Sequence, residues 1–201
     1  MVKYQKIMKR TSLIIVGGVV ALIVAYGVSV YNSLATASQE VAAAWSNVET
    51  QYQRRADLIP NLVNTVKGYA THESETLESV VAARAAATSI TIDGANMTPA
   101  QFEQYVEAQG KVTSALGKLI AVAENYPDLK ANQNFLELQA QLEGTENRIS
   151  VERQRYNEVV KSFNKKVVTF PKNLLAGMFG FSAKEFFAAK EGADTAPVVQ
   201  F

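Results

Sequence analysis

Residues 13–30 (LIIVGGVVALIVAYGVSV) form an uncharged run of 18 residues, and this run limits what the chain can fold into more than any other feature. As a helix rising about 1.5 Å per residue, it just crosses a hydrocarbon core of about 30 Å, helped by the uncharged residues 31–38 that follow. Lys3, Lys6, Lys9 and Arg10 lie directly before the run, and the first charge after it is Glu40. The positive-inside rule then predicts a cytoplasmic N-terminus, with the rest of the chain on the far side of the membrane. A cleaved signal peptide is the alternative, since a basic start, an apolar run and the triplet Ala35-Thr36-Ala37 follow that scheme. However, the run is longer than a signal core and the triplet sits inside a helical pattern, so the anchor reading is adopted. The expected division is a basic N-terminus over 1–12, a transmembrane helix over 13–33, a helical bundle over 34–190 and a flexible tail over 191–201.

Charge separates the two parts. Four of the 20 basic residues precede residue 31, leaving 16 against all 19 acidic ones in the remainder. A slightly acidic soluble part offers no general basic face for phosphate, so nucleic acid is not an expected partner. The chain has no cysteine, which removes disulfides, thiol catalysis and cysteine-ligated metals.

Beyond the anchor the apolar period is that of helices. Leu34, Val41, Trp45, Val48, Tyr52, Arg55, Ile59, Leu62, Val66 and Tyr69 alternate spacings of mostly three and four, a stripe down one helix face that continues through Leu77, Val80 and Val81 to about Ala87. Residues 57–60, with their proline, could start a new helical segment or kink the old one, and Gly68 is a weaker interruption. Residues 89–96 (SITIDGAN) lose the period around Asp93-Gly94 and read as a loop. Thr98-Pro99-Ala100-Gln101 is a capping box for a second helix, with Phe102, Tyr105, Gln109, Val112, Leu116, Leu119, Ala123 and Tyr126 on its apolar face. Phe135, Leu142, Ile149, Tyr156, Phe163 and Phe170 recur every seven residues, as in a coiled coil, and predict a third long helix over about 131–169, ended by Phe170-Pro171. The aromatic stretch 172–187 predicts one or two short helices, with Ser182 to Glu185 as a further capping box. These are read as capping the bundle, and an interfacial or partner-binding role is the alternative. No strand alternation of useful length occurs. The fold class expected is all-α: a transmembrane helix continuous with an antiparallel bundle of long helices.

Catalytic patterns are absent. The one histidine, His72, lacks the second histidine of helical zinc sites, and no nucleophile elbow, phosphate loop or dinucleotide fingerprint occurs. No cofactor or metal is expected. The polar feature that stands out is Arg55, placed on the apolar stripe, with Glu146 and Arg153 beside the stripe of the third helix. Charges at a core seam need partners, because an unpaired buried charge costs several kcal/mol. Arg55, Asp57, Glu146 and Arg153 are therefore expected to form an interhelical ion-pair network that fixes helix register.

Several strings resemble the LemA family: Tyr31-Asn32-Ser33-Leu34, Ala44-Trp45-Ser46-Asn47-Val48, Arg54-Arg55-Ala56-Asp57-Leu58-Ile59-Pro60-Asn61-Leu62-Val63, Val66-Lys67-Gly68-Tyr69-Ala70 and His72-Glu73. Glu124-Asn125-Tyr126-Pro127-Asp128-Leu129-Lys130-Ala131, Thr145-Glu146, Arg155-Tyr156-Asn157 and Phe170-Pro171 extend the likeness to nearly the whole chain. The resemblance implies a bacterial, membrane-anchored antiparallel helical bundle, and it supplies no catalytic residue to carry over.

The function expected is a non-enzymatic scaffold or self-assembling module in the bacterial plasma membrane, with the lipid bilayer and either further copies or another membrane protein as partners. The alternative is an enzyme or accessory subunit of envelope proteolysis or lipid handling that uses the Arg55, Asp57, Glu146 and Arg153 seam. A ligand sensor acting through the anchor is a third option.

Overall fold

The structure, a computed structural model, describes residues 2–188, with side chains described from Leu13 onward. It contains α1 (Val2–Lys67), α2 (Ser74–Thr88), α3 (Pro99–Ala123), α4 (Pro127–Lys130), α5 (Gln133–Val168) and α6 (Lys172–Met178), with no strand among the described residues. The fold is all-α, as the periodicity requires. The expected tail at 191–201 lies outside the described residues. The described residues divide into two compact units: 2–40 with 161–184, and 41–160 with 185–188.

In the first unit the apolar run is almost wholly uncovered. Leu13, Ile14 and Leu22 are exposed, and burial begins only at Val30, Leu34 and Ala37. Phe163, Val167 and Ala176 are buried here too, and Tyr31 meets the rings of Phe179 and Phe181 at 5.2 and 6.0 Å. α6 ends in a Schellman motif. Gly180 adopts φ +78°, the Phe181 amide donates to the Ala176 carbonyl (2.9 Å), and the Gly180 amide donates to Gly177 (3.3 Å). Phe170, expected to continue the heptad seam, is instead exposed, because α5 stops at Val168 before that side chain can turn inward.

The second unit is a bundle of four helical segments. The end of α1 (Ile59, Leu62, Val66), α2 (Leu77, Val80, Ala87), α3 (Val112, Leu116, Leu119) and the start of α5 (Phe135, Leu142) share one apolar core. Trp45 of α1 packs against Tyr156 of α5, and Arg55 bonds Glu146, so the two helices run antiparallel here. Thr98 and Gln101 cap α3 reciprocally as expected.

Two boundaries differ from the expectation. The stripe does not continue as one helix to Ala87. The chain turns at 68–73 and α2 folds back, with Arg84 of α2 reaching Ala56 of α1. Both arrangements keep the same three–four spacing, so the period could not separate them. Pro60, the stronger breaker by sequence, lies inside α1. The proline has no N–H for the carbonyl four residues back, which is Ala56, and Arg84 Nε donates to that carbonyl at 2.8 Å. The second difference is at 181–188, which is not helical, so the Ser182 to Glu185 capping box is not used. Side-chain amides of α5 hold this backbone extended. Asn164 exchanges two 2.8 Å bonds with Lys184, and Asn157 exchanges two 2.9 Å bonds with Phe187.

Candidate functional site

Arg55 occupies a core position of α1, between Tyr52 and Ile59 on the buried face, and is 1% exposed. Its Nη1 donates to Thr113 Oγ1 (2.8 Å) and Glu146 Oε1 (2.5 Å), and its Nη2 donates to the Gln109 carbonyl (3.1 Å) and Oε1 (2.7 Å). Gln109 and Thr113 are one turn apart on α3, so they present acceptors on the same face, and Thr113 also donates to the Gln109 carbonyl. A planar fork of five N–H groups suits this geometry, whereas an ammonium could not span it. The guanidinium carbon lies 5.1 Å from the Tyr52 ring centre. Nε is buried without a partner. The Glu146 side chain is 41% exposed, so the desolvation cost of the pair falls mainly on the arginine.

Two hollows adjoin this group. A cavity of about 200 Å³ is lined by Glu49, Tyr52, Arg55, Arg84 and Tyr105, among others. A groove of about 450 Å³ is lined by Tyr52, Arg55, Gln109, Thr113, Glu146 and Arg153, among others. Burial raises the Tyr52 hydroxyl above its usual range, against the opposing charges of Arg153 and Arg55. Burial, with the Glu49 charge, pushes Tyr105 the same way. Both phenols therefore stay protonated near neutral pH and serve as hydrogen-bonding groups rather than bases.

Of the four residues singled out by sequence, Arg55 and Glu146 meet directly. Asp57 is exposed and accepts from Gln53 Nε2 one turn back (2.9 Å). Arg153 is half-buried, with its guanidinium 4.6 Å from the Phe187 ring centre and Nη2 donating to the Ala188 carbonyl at 3.3 Å. Phe187 is buried among Trp45, Phe102 and Tyr156. His72 is exposed in the 68–73 turn, and no group of three or more potential metal ligands occurs among the described residues. Sequence reasoning missed Thr113 as a partner and placed Gln109 on the apolar face without giving it a role. A glutamine at a core position opposite a core arginine was the available signal.

Two further side-chain contacts tie together one end of this unit. The Tyr126 hydroxyl donates to Glu73 Oε1 (3.0 Å), and Asn132 Nδ2 donates to the Tyr69 hydroxyl (2.9 Å). The α1–α2 turn is thereby tied to the connection between α3 and α5.

Residues 44–201 match the model of the LemA family. The magnetosome protein MamQ 2 of Paramagnetospirillum magneticum is 29% identical over 186 residues, which cover 84% of this chain and 68% of that protein. The protein LemA of Metamycoplasma hominis is 28% identical over 160 residues, or 80% of this chain and 69% of that protein. The magnetosome protein MamQ of Magnetospirillum gryphiswaldense is 27% identical over 192 residues, or 84% and 68%.

Proposed function

The chain belongs to the LemA family, and from that premise we propose a membrane-anchored, non-enzymatic structural or interaction protein of the bacterial envelope. In this reading its bundle is a scaffold or self-assembling module. One observation carries the reading: a single α1 side chain, Arg55, is bonded to both α3 and α5 through Gln109, Thr113 and Glu146. A polar group with acceptors on two neighbouring helices penalises any slip between them, and this register role is the best-attested use of buried charge. A bundle held in one register, on a chain whose residues 13–29 stand uncovered and whose apolar run fits a single-pass membrane protein, suits assembly more than turnover. The N-terminus is cytoplasmic in this proposal and the bundle lies on the far side of the plasma membrane. Partners are the bilayer and either further copies or another membrane protein.

Cross-linking in native membranes, with mass measurement of the detergent-solubilised protein, tests the proposal. Cross-linked neighbours and a mass above the monomer are expected. A strict monomer without neighbours would sink it. The groove of about 450 Å³ favours a second reading, in which Arg55, Glu146 and Arg153 hold a ligand or substrate of an envelope enzyme or its accessory subunit. Under that reading Arg153→Gln abolishes function in cells while melting and assembly stay unchanged. The scaffold reading predicts that function follows assembly.

A further inference from the structure

The first unit carries a surface that the anchor alone does not explain. Leu174 and Met178, four residues apart, share one face of α6, and Phe170 lies in the turn just before the helix. They are 75%, 62% and 77% exposed, while Ala176 on the opposite face is fully buried. Val168 and Phe179 extend the apolar surface at either end. Three large exposed apolar side chains within nine residues, two of them held outward by a capped helix, are not a random scatter of surface hydrophobes.

Charge marks the same segment. Residues 161–184 contain five lysines (Lys161, Lys165, Lys166, Lys172, Lys184) and no acidic residue, although the chain beyond residue 30 is acidic as a whole. Position completes the pattern. Phe179 meets Tyr31 at 5.2 Å, and Tyr31 immediately follows the uncharged run 13–30. α6 therefore adjoins the C-terminal end of the uncharged run, among tyrosine and phenylalanine rings of the kind that line membrane interfaces.

We propose that α6 and its flanks form a second membrane contact, in which Phe170, Leu174 and Met178 lie in the interfacial layer of an anionic bilayer and the surrounding lysines face its headgroups. An apolar row with basic neighbours is the composition that binds such a surface, through buried apolar area and attraction to acidic lipid together. A second copy is the other candidate occupant. A twofold contact through this face would set lysine against lysine, which disfavours it. The proposal rests on the anchor reading, since a chain outside the membrane would have no interface for α6 to meet.

The absence of cysteine makes the test direct. Full-length L174C, M178C, V20C and E137C, each labelled with a polarity-sensitive dye, are reconstituted into phosphatidylglycerol-containing vesicles with lipids brominated along the acyl chain. V20C reports the span and E137C an exposed site on α5. Quenching of L174C and M178C to at least half the extent of V20C, with E137C unquenched, is expected. Replacing phosphatidylglycerol by phosphatidylcholine, or substituting K165Q, K166Q and K172Q together, is expected to lower the L174C and M178C signal at least twofold and leave V20C unchanged. Quenching of V20C without L174C and M178C overturns the proposal and spares the anchor, whereas no quenching at V20C overturns both. Dye at 174 that is shielded from water in proportion to protein density, yet unquenched by lipid, identifies a second copy on this face and also overturns the proposal.

Discussion

Replacing Glu146 by leucine isolates what holds Arg55 in the core. The guanidinium would keep Thr113 and Gln109 but lose its carboxylate partner, leaving a 1% exposed charge less compensated. Breaking a fully buried pair typically costs about 3–5 kcal/mol, and the 41% exposure of Glu146 reduces this to about 1–3 kcal/mol. Urea unfolding should record that loss, and Arg55→Lys should also destabilise, because three donors on one point cannot reach acceptors on two helices. Arg55→Met that raised the melting temperature with assembly unchanged would remove the register role. The phenols supply a pH dependence. Tyr52, Tyr105 and Tyr156 have hydroxyls raised above the usual value of 10, with burial the first cause in each case. A folded pKa raised above the unfolded one means that the stabilisation is complete below about pH 10 and is lost as pH climbs through the folded values. Stability should therefore be insensitive to these groups at neutral pH and fall steeply above about pH 10, with a shallower fall in Tyr105→Phe. Arg55 was visible in the sequence as a charge at an apolar position. Its partners on α3 were not, because neither glutamine nor threonine announces a partner by charge.

At the scale of elements, Pro60 is the instructive case. A proline inside a helix normally marks a break, and here the helix passes through it because a side chain from another helix satisfies the carbonyl the proline leaves free. Arg84→Met should cost about 1–3 kcal/mol by orphaning the Ala56 carbonyl, and the cost should shrink in a Pro60→Ala background, where a backbone N–H returns. Equal costs in both backgrounds, measured as a double-mutant cycle, would show that Arg84 does not serve this carbonyl. The loop between α2 and α3 gives a second case. A Cβ on Gly94 would lie 2.8–2.9 Å from Cδ1, Cβ and Cγ of Trp45, so this glycine is required by close approach and not by its dihedral angles. Trp45 is 1% exposed and cannot withdraw, and Gly94→Ala should destabilise by about 1–3 kcal/mol in thermal unfolding. The Asp93-Gly94 pair was legible as a loop, but what it packs against was not. The same limit applies to α2, whose stripe reads identically whether it extends α1 or folds back upon it.

For the whole molecule, the proposed topology yields its own test. In spheroplasts an impermeant maleimide should label E137C at once and Q5C only after the membrane is permeabilised. The reverse result would invert the orientation. The basic residues next to the span in sequence all precede it, yet the fold also brings the lysine-bearing segment 161–184 to its C-terminal end, through Tyr31 and Phe179. The amino-acid sequence alone determined that this chain is helical, that residues 13–30 can span a membrane, and which faces of the long helices are buried. Those properties are local: hydropathy over a window and a period of 3.6 residues are written in neighbouring positions. Only the tertiary structure decided that the helix survives Pro60 and turns instead at 68–73, that Arg55 finds Gln109 and Thr113 as well as Glu146, and that 181–188 is held extended by Asn157 and Asn164. Each depends on a donor or acceptor supplied from a distant part of the chain, and no local pattern encodes the partner that arrives.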